Sequence, residues 1–305
     1  MKTNQKILLF LIASSLVFGL FFSCEHVAAV ADIGAQAASA AGVIDPTIAA
    51  GISQSAQAIG RAAEEFTPEQ EYYIGRAVAA NILTTYNVWN GNPALTAYLN
   101  RICLTIAINS PKPDIFIGYR VNILDTNEIN AFATPGGHIF ITRGLIDCAE
   151  SEDALAGIIA HEIAHIQLQH GIISIRNNRR LQAAVATADS FAGVFSGMEI
   201  GELTRIFDGA VGELVNTLVV SGYSQRQEFD ADATALSLMA SAGYDPNALI
   251  LMIRVLERNQ ERNRGFGRTH PTPAQRISNV QRSVNQYQVT DTRSHREDRF
   301  RAAVR

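Results

Sequence analysis

The segment His161-Glu162-Ile163-Ala164-His165 sets two imidazoles four residues apart with a carboxylate between them. Ala154 to His170 carries apolar residues at helical spacing, and Gly171 follows as a stop, so the segment is predicted to lie on one continuous helix. Residues four apart on a helix sit one above the other. Both histidines can then reach one metal ion, with Glu162 directed toward water beside it. Zinc held by neutral nitrogens lowers the pKa of water to about 7, which allows a carboxylate to act as general base. By spacing alone, a helix surface with two fortuitous histidines is an equal reading. The uncharged runs Gly157-Ile158-Ile159-Ala160 and Ile163-Ala164 favour the metal, because they bury a helix on which unpaired imidazoles and a carboxylate would be costly.

A third ligand must come from elsewhere. The metzincin spacing needs Gly and His where Leu168 and Gly171 stand. His170, five beyond His165, falls off the ligand face of a continuous helix and reads as a helix-terminal residue favoured by the dipole. Glu228 and Asp232 lie four apart on a later predicted helix: Glu228 can bind the metal, and Asp232 can accept the second N–H of a ligand imidazole. An exposed acidic face is the alternative, and it explains Asp230 better than that spaced pair.

The elements that must position these groups follow from the pattern. Thr67-Pro68-Glu69-Gln70 has capping-box spacing and starts a helix to about Tyr86; a second amphipathic helix covers roughly Ala94 to Ile108. Between Tyr119 and Thr142 apolar and polar residues alternate, and Pro135-Gly136-Gly137 is turn chemistry, so short strands and a hairpin are expected. From Arg143 onward the pattern is helical. The predicted fold class is α+β, a mostly helical body with a small sheet beside the histidine-bearing helix. Leu181 to Ser221 is interrupted by charges too often for a membrane span. The tail from 288 to 305 is charged, lacks an apolar stripe and is expected to fray.

The chain has 305 residues, 47% of them hydrophobic, and a formal net charge of -4. That length supports a sizeable core, and that charge gives no basic face for nucleic acid. Lys2 and Lys6 precede an apolar run from Ile7 to Phe22, which reads as an export signal over 1–23. Residues 24–66 form an Ala-rich spacer or weak helices, and 67–287 the folded domain. Leu20 to Cys24 resembles a bacterial lipobox, which implies a lipidated Cys24 and a membrane tether; plain secretion is the alternative. Cys103 and Cys148 can pair in an exported compartment or remain two buried thiols.

The HEIAH segment, Glu228 with Ala231-Asp232, Asn130-Ala131-Phe132-Ala133, Gly136-Gly137, Gly144-Leu145, and Thr269-His270-Pro271 with Arg276 together resemble the gluzincin peptidases of the HtpX, Oma and BepA type. These are relatives of the CAAX prenyl endopeptidases. The resemblance runs from Thr67 to about Gln281 and implies a zincin fold and one zinc ion held by His161, His165 and Glu228. It also implies a substrate-binding edge strand around Phe132, Ala133, Gly136, Gly137 and His138. His270 would stabilise the oxyanion, with help from Arg276, or else cover the metal. The family's multiple membrane helices and tetratricopeptide repeats are not expected here. The implied function is hydrolysis of unfolded or misassembled polypeptides in the bacterial envelope. A non-catalytic assembly factor with a closed metal site is the alternative.

Overall fold

A computed structural model describes residues 24–42, 44–53, 66–177, 211–212, 214–259, 272–287 and 293–304. They fall into two compact units, one gathering residues up to 65 with 175–206, the other 66–174 with 207–305. In the first, helix α1 spans Cys24–Ala40 and α2 covers 46–53. Asp45 starts α2 by accepting the Thr47 N–H at 2.8 Å, just ahead of Pro46 in the first turn. Among the described residues no helix is long and apolar enough to cross a membrane. The expected export signal and most of Leu181 to Ser221 lie outside the described residues.

The second unit opens with α3 (Pro68–Thr85), whose capping box is complete: Thr67 accepts from the Gln70 N–H, and Gln70 accepts from the Thr67 N–H. Asn92 caps α4 (Pro93–Ile108). Strands β1 (Arg120–Leu124), β2 (Ala131–Ala133) and β3 (His138–Thr142) form a sheet in the order β1-β3-β2, with β3 parallel to β1 and antiparallel to β2. Phe132 and Ala133 thus stand on the edge strand β2. The wider edge expected around them is corrected: Gly136 and Gly137 make the turn, and His138 opens the central strand, paired with Arg120 on β1. A strand already hydrogen-bonded on both sides has no edge to offer there. The turn needs glycine, since Gly136 has φ +74° and a Cβ there would come within 2.4 Å of the Tyr72 Cα.

Helix α5 (Arg143–Cys148) leads to α6 (Glu152–Gln167), which is buried along its whole length. Ser151 caps α6 by accepting the Ala154 N–H, and Glu152 and Asp153 face the positive end of its dipole. The expectation of one continuous helix to His170 is corrected. The helix stops at Leu168, Gln169 takes a left-handed φ of +55°, and helix resumes at His170. A left-handed residue just past the C-cap is a common helix ending, and the Gln169 side-chain amide donates from that turn to the Glu71 carboxylate of α3.

Helices α7 (Gln225–Ser241), α8 (Asn247–Arg258), α9 (Pro273–Gln281) and α10 (Arg293–Val304) complete the body. Ser224 and Gln227 form the capping box of α7. The tail expected to fray is instead helical over α10. Phe300 enters the core, buried Arg296 binds Asp153 at 2.9 Å, and Arg299 binds Glu152 at 3.0 Å. Its apolar contribution is Phe300 with the partly buried Ala303 and Val304 near its end, and arginines supply much of the remaining contact, so no long apolar stripe was there to be read. Cys103 and Cys148 are both free thiols.

Candidate metal centre

The stacking of His161 and His165 on α6 brings their Nε2 atoms to 3.1 Å of each other. Glu228, on the first turn of α7, faces both: one carboxylate oxygen lies 3.5 Å from His161 Nε2 and the other 3.4 Å from His165 Nε2. All three side chains are buried, and among the described residues they form the one His/Cys/Asp/Glu group placed to hold a metal ion. Ligands about 2.0–2.1 Å from a tetrahedral ion stand about 3.3 Å apart, so these separations match the edges of such a site.

The far sides of the two imidazoles decide their tautomers. His161 Nδ1 donates to Asp232 Oδ1 at 3.0 Å. Arg276 from α9 in turn grips that carboxylate with both Nε, at 2.9 Å, and Nη2, at 2.6 Å. His165 Nδ1 lies 2.9 Å from Nδ1 of His170. The left-handed break at Gln169 swings His170 back over its neighbour, where a continuous helix would have turned it away. Burial, with a smaller push from His161, lowers the His170 pKa to about 4, so His170 is neutral and accepts from His165. With both Nδ1 atoms donating, both Nε2 atoms present lone pairs to each other at 3.1 Å. That contact is repulsive unless a proton on His161 or a metal ion lies between them.

Charge leads to the same conclusion. Glu162, Glu228 and Asp232 are buried with one guanidinium, Arg276, among them, an acidic surplus that bound protons or a metal cation must offset. Burial would raise Asp232, but Arg276 and the His161 hydrogen bond outweigh it and hold the carboxyl below the ordinary carboxylate range. Burial pushes Glu162 up to about 7, against the pull of His161 and with the repulsion of Glu228 added. Among the described residues its Oε1 has no hydrogen-bond partner. It lines a small, partly open cleft with Ala131, Phe132 and Ala133 of the edge strand, His165 and Tyr223.

Residues 93–284 match the profile of Peptidase family M48. The chain belongs to this family. It is 30% identical over 193 residues to metalloprotease LoiP of Escherichia coli, covering 62% of this chain and 71% of that one. It is 27% identical over 197 residues to mitochondrial metalloendopeptidase OMA1 of Schizosaccharomyces pombe, covering 64% and 54%. Similarity to the beta-barrel assembly-enhancing protease of Escherichia coli is 24% over 222 residues, covering 70% and 44%. The chain therefore spans about half the length of the last two relatives.

The family membership fits the donor set of two imidazoles and a carboxylate. Of the residues predicted for the site, the structure brings together His161, Glu162, His165, Glu228, Asp232 and Arg276. Arg276 stands behind Asp232 on the Nδ1 side of His161. His270 lies outside the described residues. Two residues were missed: His170, because it was read on an unbroken helix, and Tyr223, which stacks on His165 with ring centroids 4.5 Å apart. The signal for Tyr223 was its place just before the Ser224 cap of the helix that bears Glu228.

Proposed function

We propose that this member of family M48 is an exported zinc endopeptidase that cleaves unfolded or misassembled envelope polypeptides, with His161, His165 and Glu228 as ligands. The observation that carries the reading is the convergence of the two Nε2 atoms and the Glu228 carboxylate on one point, with a second carboxylate, Glu162, on the cavity side. Zinc suits two imidazoles and one carboxylate, and when bound it supplies Lewis acidity to a carbonyl oxygen and acidifies water. Glu162 takes the proton of the attacking water and returns it to the departing amine. Asp232 and His170 orient the two imidazoles, and Arg276 orients Asp232. An extended peptide laid along β2 would present its carbonyl above Glu162, since Ala131 to Ala133 and Glu162 share the cavity wall.

Envelope placement rests on the signal-like residues 1–23 and the lipobox-like run ending at Cys24, and the name of one bacterial relative, the beta-barrel assembly-enhancing protease, agrees with it. The test is metal analysis joined to casein hydrolysis by wild type and Glu162→Gln. The variant should retain about one zinc per chain and lose turnover. Equal hydrolysis by both proteins would sink the assignment. If Glu162→Gln also restored envelope integrity in cells lacking the wild-type protein, a non-catalytic assembly role would replace it.

A further inference from the structure

Tyr223 lines both adjoining cavities at the centre, the first with Glu162 and His165, the second with Pro135 and His165. Its ring lies nearly parallel to that of His165, 19° between planes, and 5.7 Å from that of His170. The backbone holds it in place from both sides: Gly222 before it has φ +76°, and Ser224 after it begins α7 with a closed capping box. Among the described residues its hydroxyl has no hydrogen-bond partner, and the half-buried side chain leaves it free to meet a ligand in the cavity.

We infer that the Tyr223 hydroxyl is a further catalytic residue, donating a hydrogen bond to the scissile carbonyl oxygen as that oxygen gains negative charge. This rests on the endopeptidase reading above. The water oxygen adds to the carbonyl carbon while one water proton passes to Glu162. The carbonyl π pair collects on oxygen, where Tyr223 donates without giving up its proton. When the pair returns, the C–N bond breaks, Glu162 delivers its proton to the amine nitrogen, and the other water proton leaves with the acid product. A donor standing in the cavity wall beside Glu162 stabilises the charged oxygen more than the neutral carbonyl, which is what lowers a barrier. Burial and the facing Glu162 and Glu228 raise the phenol pKa, so the group stays a donor.

The test uses the zinc-loaded full chain and Tyr223→Phe, which keeps the ring stacked on His165 and removes only the hydroxyl. Two quantities are read: kcat and KM on a fluorogenic unfolded substrate, and affinity for a phosphinic pseudopeptide whose tetrahedral oxygens mimic the charged intermediate. The inference expects kcat and phosphinic affinity to fall by about 10²-fold. KM, zinc content and affinity for a product peptide should hold steady. Wild-type kcat and phosphinic affinity in the variant would overturn it. So would loss of zinc, which would make Tyr223 a support for His165 only. Glu162→Gln runs in parallel: full activity there would remove the endopeptidase reading, while the phosphinic measurement, which needs no turnover, would still report on Tyr223.

Discussion

His161 and His165 present Nε2 to one point and hand Nδ1 to different acceptors, an anion in Asp232 and a neutral imidazole in His170. The anionic acceptor makes His161 the more basic nitrogen. Burial and Arg276 oppose its protonation, yet the hydrogen bonds to Asp232 and Glu228 raise its pKa to about 9 when no cation is present. His170 acts only by orienting His165, so its removal should show in metal affinity more than in folding. His170→Leu should weaken zinc binding by about 10- to 100-fold in a competition with a chelator. His170→Asn, whose side-chain oxygen can accept where Nδ1 now does, should recover most of that loss. Wild-type affinity in the Leu variant would mean that Tyr223 stacking alone orients His165.

At the scale of elements, α6 is held at both ends. Arg299 and Arg296 of α10 bind Glu152 and Asp153 at its start, and Tyr98 of α4 donates to Glu152 at 2.9 Å. At its end the Lys112 ammonium donates to the Gln167 carbonyl at 2.7 Å, while the Gln167 amide donates to Ser110 and Tyr119. A cation at the helix C-terminus and carboxylates at the N-terminus both agree with the dipole. Phe300 is the apolar anchor of α10, 3% exposed. Phe300→Ala should therefore cost about 3–5 kcal/mol in a denaturant titration. An unchanged midpoint would show that α10 contributes nothing to the domain.

For the molecule as a whole, the metal centre is a joint between two parts of the chain distant in sequence, α6 with its histidines and α7 with Glu228. Both helices are in the core, so separating them exposes buried carboxylates and apolar surface together. Zinc should bind the folded chain far better than the unfolded one. Saturation at about 1,000 times the dissociation constant should add about 4 kcal/mol of stability. Chelation should accordingly lower the melting temperature by several degrees, and readdition of zinc should restore it. A melting curve indifferent to chelator would place the cation outside these residues.

Local chemistry was legible in the sequence wherever near neighbours decide it. The i, i+4 spacing of His161 with His165 and of Glu228 with Asp232, the capping boxes at Thr67 and Ser224, and the Pro135-Gly136-Gly137 turn are short-range signals, and each keeps its form in the fold. The rest depended on contacts between distant parts of the chain. Gln169 adopts its left-handed backbone with Glu71, 98 residues away, as partner, and only then does His170 meet His165. Arg276 became a clamp on Asp232, and Arg296 and Arg299 became anchors for α6, because oppositely charged groups far away in sequence were buried beside them. A helix period tells which residues share a face. It does not tell which acceptor stands opposite, and for ionisable side chains that opposite group decides whether the charge is solvated, paired or put to chemical use.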